Sequence, residues 1–582
     1  MSIAATILNP IRMAGMRFSL WQHGVFAVVA AAVVVPLGFL VLGSFSTADL
    51  PTELDPAKLG LENYSAVWFN PATYTVFTNT AIYVAGSVAF GITIAVMLAW
   101  LVERTDMPGK IWIYVGVPLT LAMPGMLQAM AWVLLLSPRI GFLNQILVHG
   151  LGIGPINVYS LGGMIFVEGI RLVPTAFLMM VPLFRSMDPS LEEAAAVSGA
   201  RPVSTARKVT MRLLAPGLVA IMIYQAMTAL EVFEVPGVLG LPARIYVFST
   251  KIYSIINSQS FLPAYGEANA LSMFYLAIAV VATALYARLI SRSERFTVIS
   301  GKGYRPHLIP LGAWRTPALV LVFAYATLSV LLPFLVLLYA SLVPYIRIPT
   351  MAALRTLNFD HYGDLFRNPL IGIVLWNTAV MVIVASTATT VLSFLVSMVV
   401  VRSKFWGRKL LDQLAFLPHA IPGIVMGIAF VWVFLKTDQK MGTALYGSIW
   451  SICIAFTISF LAYGTRAMNA AILQIHKDLE DAAHVSGAPV WRTWWRIFYP
   501  LMLPTFVGVW IWVMLHVVRV AGMPLVLYQG PENQVLAVLI WNEWDAGHIE
   551  VVGAIGTLMI ASLMALTLAL RLFGFGRGAQ SG

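Results

Sequence analysis

The sequence predicts an all-α polytopic membrane protein built from two parallel six-helix repeats, about twelve transmembrane helices in all. Three observations predict it. Of the 582 residues, 59% are hydrophobic and only 10% charged, with a mean hydropathy of +0.84, against roughly 25% charged in soluble domains. Apolar runs of spanning length, about 20 residues, recur along the whole chain. The decapeptide LEEAAAVSGA at 191–200 returns as LEDAAHVSGA at 479–488, each time as a polar island between apolar runs.

Taken in order, Arg12 and Arg17 precede an apolar run at about 24–42. The run is longer than the roughly 7–15 residues of a signal-peptide core, so it reads as an uncleaved first span. Further spans are expected near 77–101, 111–136, 161–184, 213–235 and 267–290. A basic stretch at 291–316 reads as a linker. Six more spans are expected near 317–341, 375–401, 411–435, 448–470, 501–528 and 550–571. The first half is thus 1–290, with its polar segment at 188–212, and the second 317–582, with its segment at 476–500. An even number of spans per half makes the halves parallel. The net charge of +11 is the basic bias of cytoplasmic segments rather than a nucleic-acid surface. It places both termini, the linker and both polar islands on the cytoplasmic side. Cys453 is the only cysteine, so an intrachain disulfide is excluded.

The duplication reaches beyond the islands. Asn79-Thr80-Ala81 recurs as Asn377-Thr378-Ala379, Arg104 and Gly109 as Arg402 and Gly407, and Ala122-x-Pro124-Gly125 as Ala420-x-Pro422-Gly423, each 298 positions later. The islands repeat after 288, so the first half carries about ten extra residues, placed most simply in an external loop at 137–160. Two other external loops, 43–76 and 342–374, hold short amphipathic pieces at 61–68 and 357–366 that are candidates for contact with an external partner.

In each island a polar pair three residues apart, Ser190 with Glu193 and Asp478 with Asp481, can cap a short helix. Ala194, Ala195, Ala482 and Ala483 favour helix and leave a smooth face, and Gly199 and Gly487 suit its C-terminal stop. One such helix would be an ordinary surface feature; two matched copies before the fifth span of each half point to a partner met twice.

Ionisable groups within spans cost at least about 2.5–3.5 kcal/mol near mid-membrane and need an account. Glu168 and Arg171 stand at i, i+3 and read as an intramembrane pair. Glu231 and Glu234 in the fifth span, with Arg519 at the position equivalent to Glu231 in the eleventh, are assigned to the translocation path. Glu231 either attracts Arg519 across the halves or is neutralised by Arg171 within its own. The nine histidines form no close ligand pair, so no metal site is assigned. No phosphate-binding loop occurs, and no nucleophile, base or metal set clusters, so the chain is not read as an enzyme.

The two islands, Glu192-Glu193-Ala194-Ala195-x-x-Ser198-Gly199-Ala200 and Glu480-Asp481-Ala482-Ala483-x-x-Ser486-Gly487-Ala488, resemble the EAA loop of the permease subunits of binding-protein-dependent ABC importers with the type I transmembrane fold. The stretches EVFEVP at 231–236 and VLAVLIW at 535–541 make the chain look most like the fused two-domain permeases of the ferric iron branch. The resemblance implies ATPase coupling through Glu192, Glu193, Ala194, Ala195 and Gly199 and through Glu480, Asp481, Ala482, Ala483 and Gly487. It implies two ATP-binding cassette subunits docked on the EAA loops, an external solute-binding protein, and a bacterial inner-membrane location. No cofactor is expected in this chain; ATP and Mg would be held by the partner subunits. Thiamine, an aminoalkylphosphonate or a polyamine are alternative solutes, and an ion-coupled secondary transporter is the alternative class.

Overall fold

The computed structural model describes residues 4–48, 56–152, 154–185, 190–200, 202–257, 263–293 and 308–572. Within them the regular structure is helical, apart from two isolated bridges, Ser46 with Leu59 and Thr105 with Ile309. Most of the basic linker at 291–316 lies outside the described residues, as do 188, 189 and 201 of the first polar segment.

Nine described helices are long and apolar enough to cross a membrane: Leu20–Phe45, Pro71–Arg104, Leu161–Arg185, Lys208–Glu231, Tyr265–Tyr286, Gly312–Leu342, Pro369–Arg402, Trp491–Val517 and Ile549–Ala569. The spans expected at 111–136, 411–435 and 448–470 are instead bent pairs, which raise the number to twelve when each pair is one span. Lys110–Ala122 meets Gly125–Leu136 at 92°, Arg408–His419 meets Gly423–Met441 at 111°, and Ile449–Ser459 meets Leu461–Gln474 at 46°. The first two bends fall on the repeated Pro-Gly pair. Pro124 and Pro422 take extended backbone with ψ of 136° and 143°, and a proline cannot continue the hydrogen-bond ladder of the preceding turn.

The fifth span of each half also ends earlier than expected. Its helix stops at Glu231 or at Val517, and the chain then turns into a short helix, Glu234–Gly240 or Gly522–Leu527. Pro236 and Pro524 explain both breaks. Each ring would clash with the carbonyl four residues earlier, Val232 or Val520, so the long helix must end there, while a proline in the first turn of the next helix loses no bond.

Repeated sequence makes repeated contacts. Thr80 Oγ1 accepts the Phe248 backbone N–H at 3.1 Å, where the helix Phe248–Ile256 begins, and Thr378 Oγ1 accepts that of Leu536 at 2.9 Å, where Leu536–Asp545 begins. Asn79 donates to the Tyr246 carbonyl, and Asn377 to those of Glu532 and Gln534. Each Asn-Thr pair therefore fixes the loop that follows the short re-entrant helix of its own half.

Small residues set the closest helix crossings, as in membrane bundles generally. Pro71–Arg104 lies along Leu161–Arg185, where a Cβ on Gly91 would sit 2.6 Å from the Gly169 carbonyl oxygen and one on Gly169 would sit 2.4 Å from the Phe90 ring. In the second half a Cβ on Gly464 would sit 2.1 Å from Ser393 Oγ. The first span of each half leans on the other half: Leu20–Phe45 packs on Gly423–Met441, and Gly312–Leu342 on Gly125–Leu136. Gln128 Nε2 donates to the Ser329 carbonyl at 3.2 Å across this contact. Every residue of Gly125–Leu136 is buried, so the limb beyond the Pro-Gly break forms the core against which the re-entrant helices pack.

Candidate functional site

The two polar islands fold alike. Glu192 to Ala195 lie on the helix Ser190–Val197, and Glu480 to Ala483 on Lys477–Val485. The predicted cap residues Ser190 and Asp478 thus fall inside the first turn. Both helices end in a left-handed glycine, Gly199 at φ +78° and Gly487 at φ +74°. Both close with the same bond from the following residue, Ala200 N–H to the Ala195 carbonyl and Ala488 N–H to the Ala483 carbonyl, each at 3.0 Å, the pattern of a Schellman stop. Ser198 and Ser486 each turn a hydroxyl back to the carbonyl four residues earlier, both at 2.8 Å. Val197 and Val485, at matching positions, are each 90% exposed. Among the described residues, the shared surface is a short helix with a protruding valine.

An arginine at the end of the second span of each half grips the acidic end of its island. Arg104 places Nη1 3.6 Å from Glu192 Oε2 and donates from Nη2 to the Phe184 carbonyl at 2.9 Å. Arg402 places Nε 3.8 Å from Glu480 Oε2 and donates to the carbonyls of Ile472 and Ile475. In both halves one guanidinium therefore joins three elements: its own span, the C-terminal carbonyls of the helix before the island, where a cation is favoured, and the island's glutamate. Glu192 also accepts a hydrogen bond from Thr210 Oγ1 at 2.5 Å. The sequence signal for these arginines was their recurrence at the 298-residue spacing, which did not reveal what they hold.

The intramembrane charges gather where the halves meet. Arg171 binds Glu168 with two bonds, Nε to Oε2 at 2.8 Å and Nη2 to Oε1 at 2.5 Å, and Glu168 is fully buried. Glu234 opens its short helix and crosses the seam, its Oε1 accepting the Ala521 backbone N–H at 2.9 Å ahead of the short helix of the other half. Gly125 makes room for both groups, since a Cβ there would sit 3.0 Å from Arg171 Cδ and 3.9 Å from Glu234 Cβ. Among the described residues Glu231 makes no ion pair within 4.0 Å with either expected partner. Arg171 is engaged by Glu168, Arg519 forms no ion pair among the described residues, and its Nε is buried without a hydrogen-bond partner. Glu231 is the last residue of its helix, whereas Arg519 lies past the end of its own at Val517, in the turn before Gly522–Leu527. Among the described residues no three His, Cys, Asp or Glu side chains gather as a metal site.

Two matched surface helices and a polar seam of broken helices between the halves mark a duplicated helical membrane protein. Residues 389–573 match the family described as "Binding-protein-dependent transport system inner membrane component". The chain is 26% identical over 493 residues to the ferric transport system permease protein FbpB of Actinobacillus pleuropneumoniae, covering 83% of this chain and 68% of that one. To the putative ferric transport system permease protein FbpB 1 of Haemophilus influenzae it is 26% identical over 429 residues, covering 72% and 64%. To the Fe(3+)-transport system permease protein FbpB 2 of the same organism it is 20% identical over 493 residues, covering 84% and 88%. The second half of the chain thus matches the family model, most of the chain is similar to ferric transport permeases, and its helices are long and apolar enough to cross a membrane several times.

Proposed function

We propose that the chain carries ferric iron, handed over by an external binding protein, into the cytoplasm by alternating access, driven by two ATP-binding subunits that dock on the helices Ser190–Val197 and Lys477–Val485. The observation that carries the coupling role is the matched pair of arginine grips, Arg104 on Glu192 and Arg402 on Glu480. A helix tied by its acidic end to a span and to the preceding helix moves them with it when a partner moves it, a rigid-body switch. Val197 and Val485, each 90% exposed, supply apolar knobs for two equivalent clefts. Both termini and both docking helices face the cytoplasm in this reading, and residues 1–290 and 317–582 act as the two rocking halves. Seam residues Glu231, Glu234 and Arg519 line the path. ATP and Mg belong to the partner subunits. Iron as cargo rests on the similarity of most of the chain to ferric transport permeases.

The test is reconstitution in liposomes with cognate ATP-binding subunits and a cognate binding protein. Iron uptake that needs ATP, stops with vanadate and survives a protonophore is the expected result. Uptake abolished by the protonophore while ATP is maintained would establish an ion-coupled transporter instead.

A further inference from the structure

One cavity at the seam brings together polar groups from both halves, one of them a buried hydroxyl without a hydrogen-bond partner. It is lined from the first half by Met227 and Glu231 at the end of the fifth-span helix and by Tyr275 of the sixth, and from the second half by His419 and Pro422 at the Pro-Gly break. Glu231 is exposed, and no basic group lies within 4.0 Å of its carboxylate. A lipid-facing carboxylate is costly, and residues of both halves surround this one, so its exposure is to the space between them. Tyr275 is 0% exposed, and its hydroxyl has no hydrogen-bond partner. His419 stacks near Tyr224 at 6.3 Å between ring centroids and touches Phe416 at 5.8 Å. Its described contacts are to rings.

A buried phenol without a partner costs free energy, and here it shares one cavity with a carboxylate and an imidazole from two other elements, a grouping that suits a common ligand. No Lys or Arg lines the cavity, so the ligand is a cation. The space admits about one water-sized occupant, so it is a single ion rather than an organic solute. Two oxygen donors and one imidazole suit a hard or borderline metal ion.

We infer that Glu231, Tyr275 and His419 form a transit site for one hard metal cation, ferric iron under the reading above on which this inference rests. A set of only three protein donors suits a site that must release its ion. Binding as phenolate sends the Tyr275 proton to water. His419 comes from the opposite half to Glu231 and Tyr275, so a rocking motion that separates the halves takes the site apart.

The experiment uses the permease with its ATP-binding subunits in nanodiscs, titrated with ferric nitrilotriacetate, and the same complex in liposomes for uptake. Wild type should develop a visible phenolate-to-iron charge-transfer band. Tyr275→Phe should abolish the band, and Glu231→Gln should weaken ferric binding by about tenfold or more, the loss typical of groups that hold a metal. Both variants should lose uptake in proportion to their loss of ferric binding. Glu231→Asp, which keeps the carboxylate, should restore most of the binding, an outcome a merely structural role would not give. Unchanged ferric binding in Tyr275→Phe and Glu231→Gln, or iron uptake by wild type with no band, overturns the site and leaves ferric import standing. Wild-type uptake of an organic solute in place of iron overturns the ferric reading itself.

Discussion

The arginine grips allow a quantitative comparison between the two halves. In the first, Arg104 and Glu192 are 4% and 13% exposed with 3.6 Å between charged atoms; in the second, Arg402 and Glu480 are 15% and 21% exposed at 3.8 Å. At an effective dielectric constant of about 20, either separation corresponds to roughly 4–5 kcal/mol of direct attraction before desolvation. Desolvation removes much of this, and more of it from the more buried pair. Truncating one partner of a buried pair costs about 3–5 kcal/mol when the other is left alone. Glu192 is not left alone, because Thr210 still donates to it at 2.5 Å. Arg104→Met should therefore destabilise by about 2–3 kcal/mol and Arg402→Met by about 1 kcal/mol, between a buried and a surface pair. Double-mutant cycles with Glu192→Gln and Glu480→Gln, read by unfolding in detergent, should give coupling energies of about 1 kcal/mol or more in the first half and less in the second. Both arginine variants should also spend more ATP per iron imported. Coupling energies of about zero in both halves, or a larger one in the second, would refute the reasoning.

Gly199→Ala and Gly487→Ala meet no atom within 4 Å, so their cost is the left-handed backbone alone, about 1–2 kcal/mol each; the coupling ratio of uptake to ATP hydrolysis should fall in both, and wild-type ratios in both would count against the docking role. Reversing the charges of Glu231 and Arg519 together should not rescue either single reversal, since neither contacts the other; full rescue of uptake would show a contact made in another state of the cycle. Glu234→Ala strands the Ala521 N–H and should destabilise by about 1–3 kcal/mol, while Glu234→Gln, which keeps an acceptor, should cost less; melting of the purified complex separates them. The Leu311 backbone N–H at 2.8 Å holds the Asp106 carboxyl below its ordinary range against partial desolvation, with the Arg315 guanidinium adding to it. A depressed carboxyl contributes stability that is present above its unfolded pKa, about 3.9, and lost as the pH falls through the lower folded value. Protection of the Leu311 amide from hydrogen exchange should therefore hold through neutral pH and weaken only below about pH 4, whereas Asp106→Asn should weaken it at every pH.

The repeats were legible because each carries its own local physics. Alanine-rich helices stopped by Gly199 and Gly487, and bends at Pro124 and Pro422, depend on neighbours within a few residues. The breaks after Glu231 and Val517 were equally local, signalled by Pro236 and Pro524, yet an unbroken apolar run concealed them because hydropathy does not register a hydrogen-bond ladder. What Arg104 and Arg402 hold was not legible, since Glu192 lies 88 positions from Arg104 and Glu480 lies 78 from Arg402. The seam charges misled for a related reason: symmetry of sequence paired Glu231 with Arg519, whereas the carboxylate that crosses the seam is Glu234.

By itself the sequence determined that this chain is helical, duplicated and resident in a membrane, because composition, span length and capping chemistry are additive along the chain. Only the tertiary structure decided which polar groups are satisfied and which are not. Glu168 is matched by Arg171 and Glu234 by a backbone amide of the other half, while Glu231, Tyr275 and His419 are left facing one cavity. That outcome depends on how two broken helices meet across a seam, where a turn of two or three residues redirects a side chain from one partner to another.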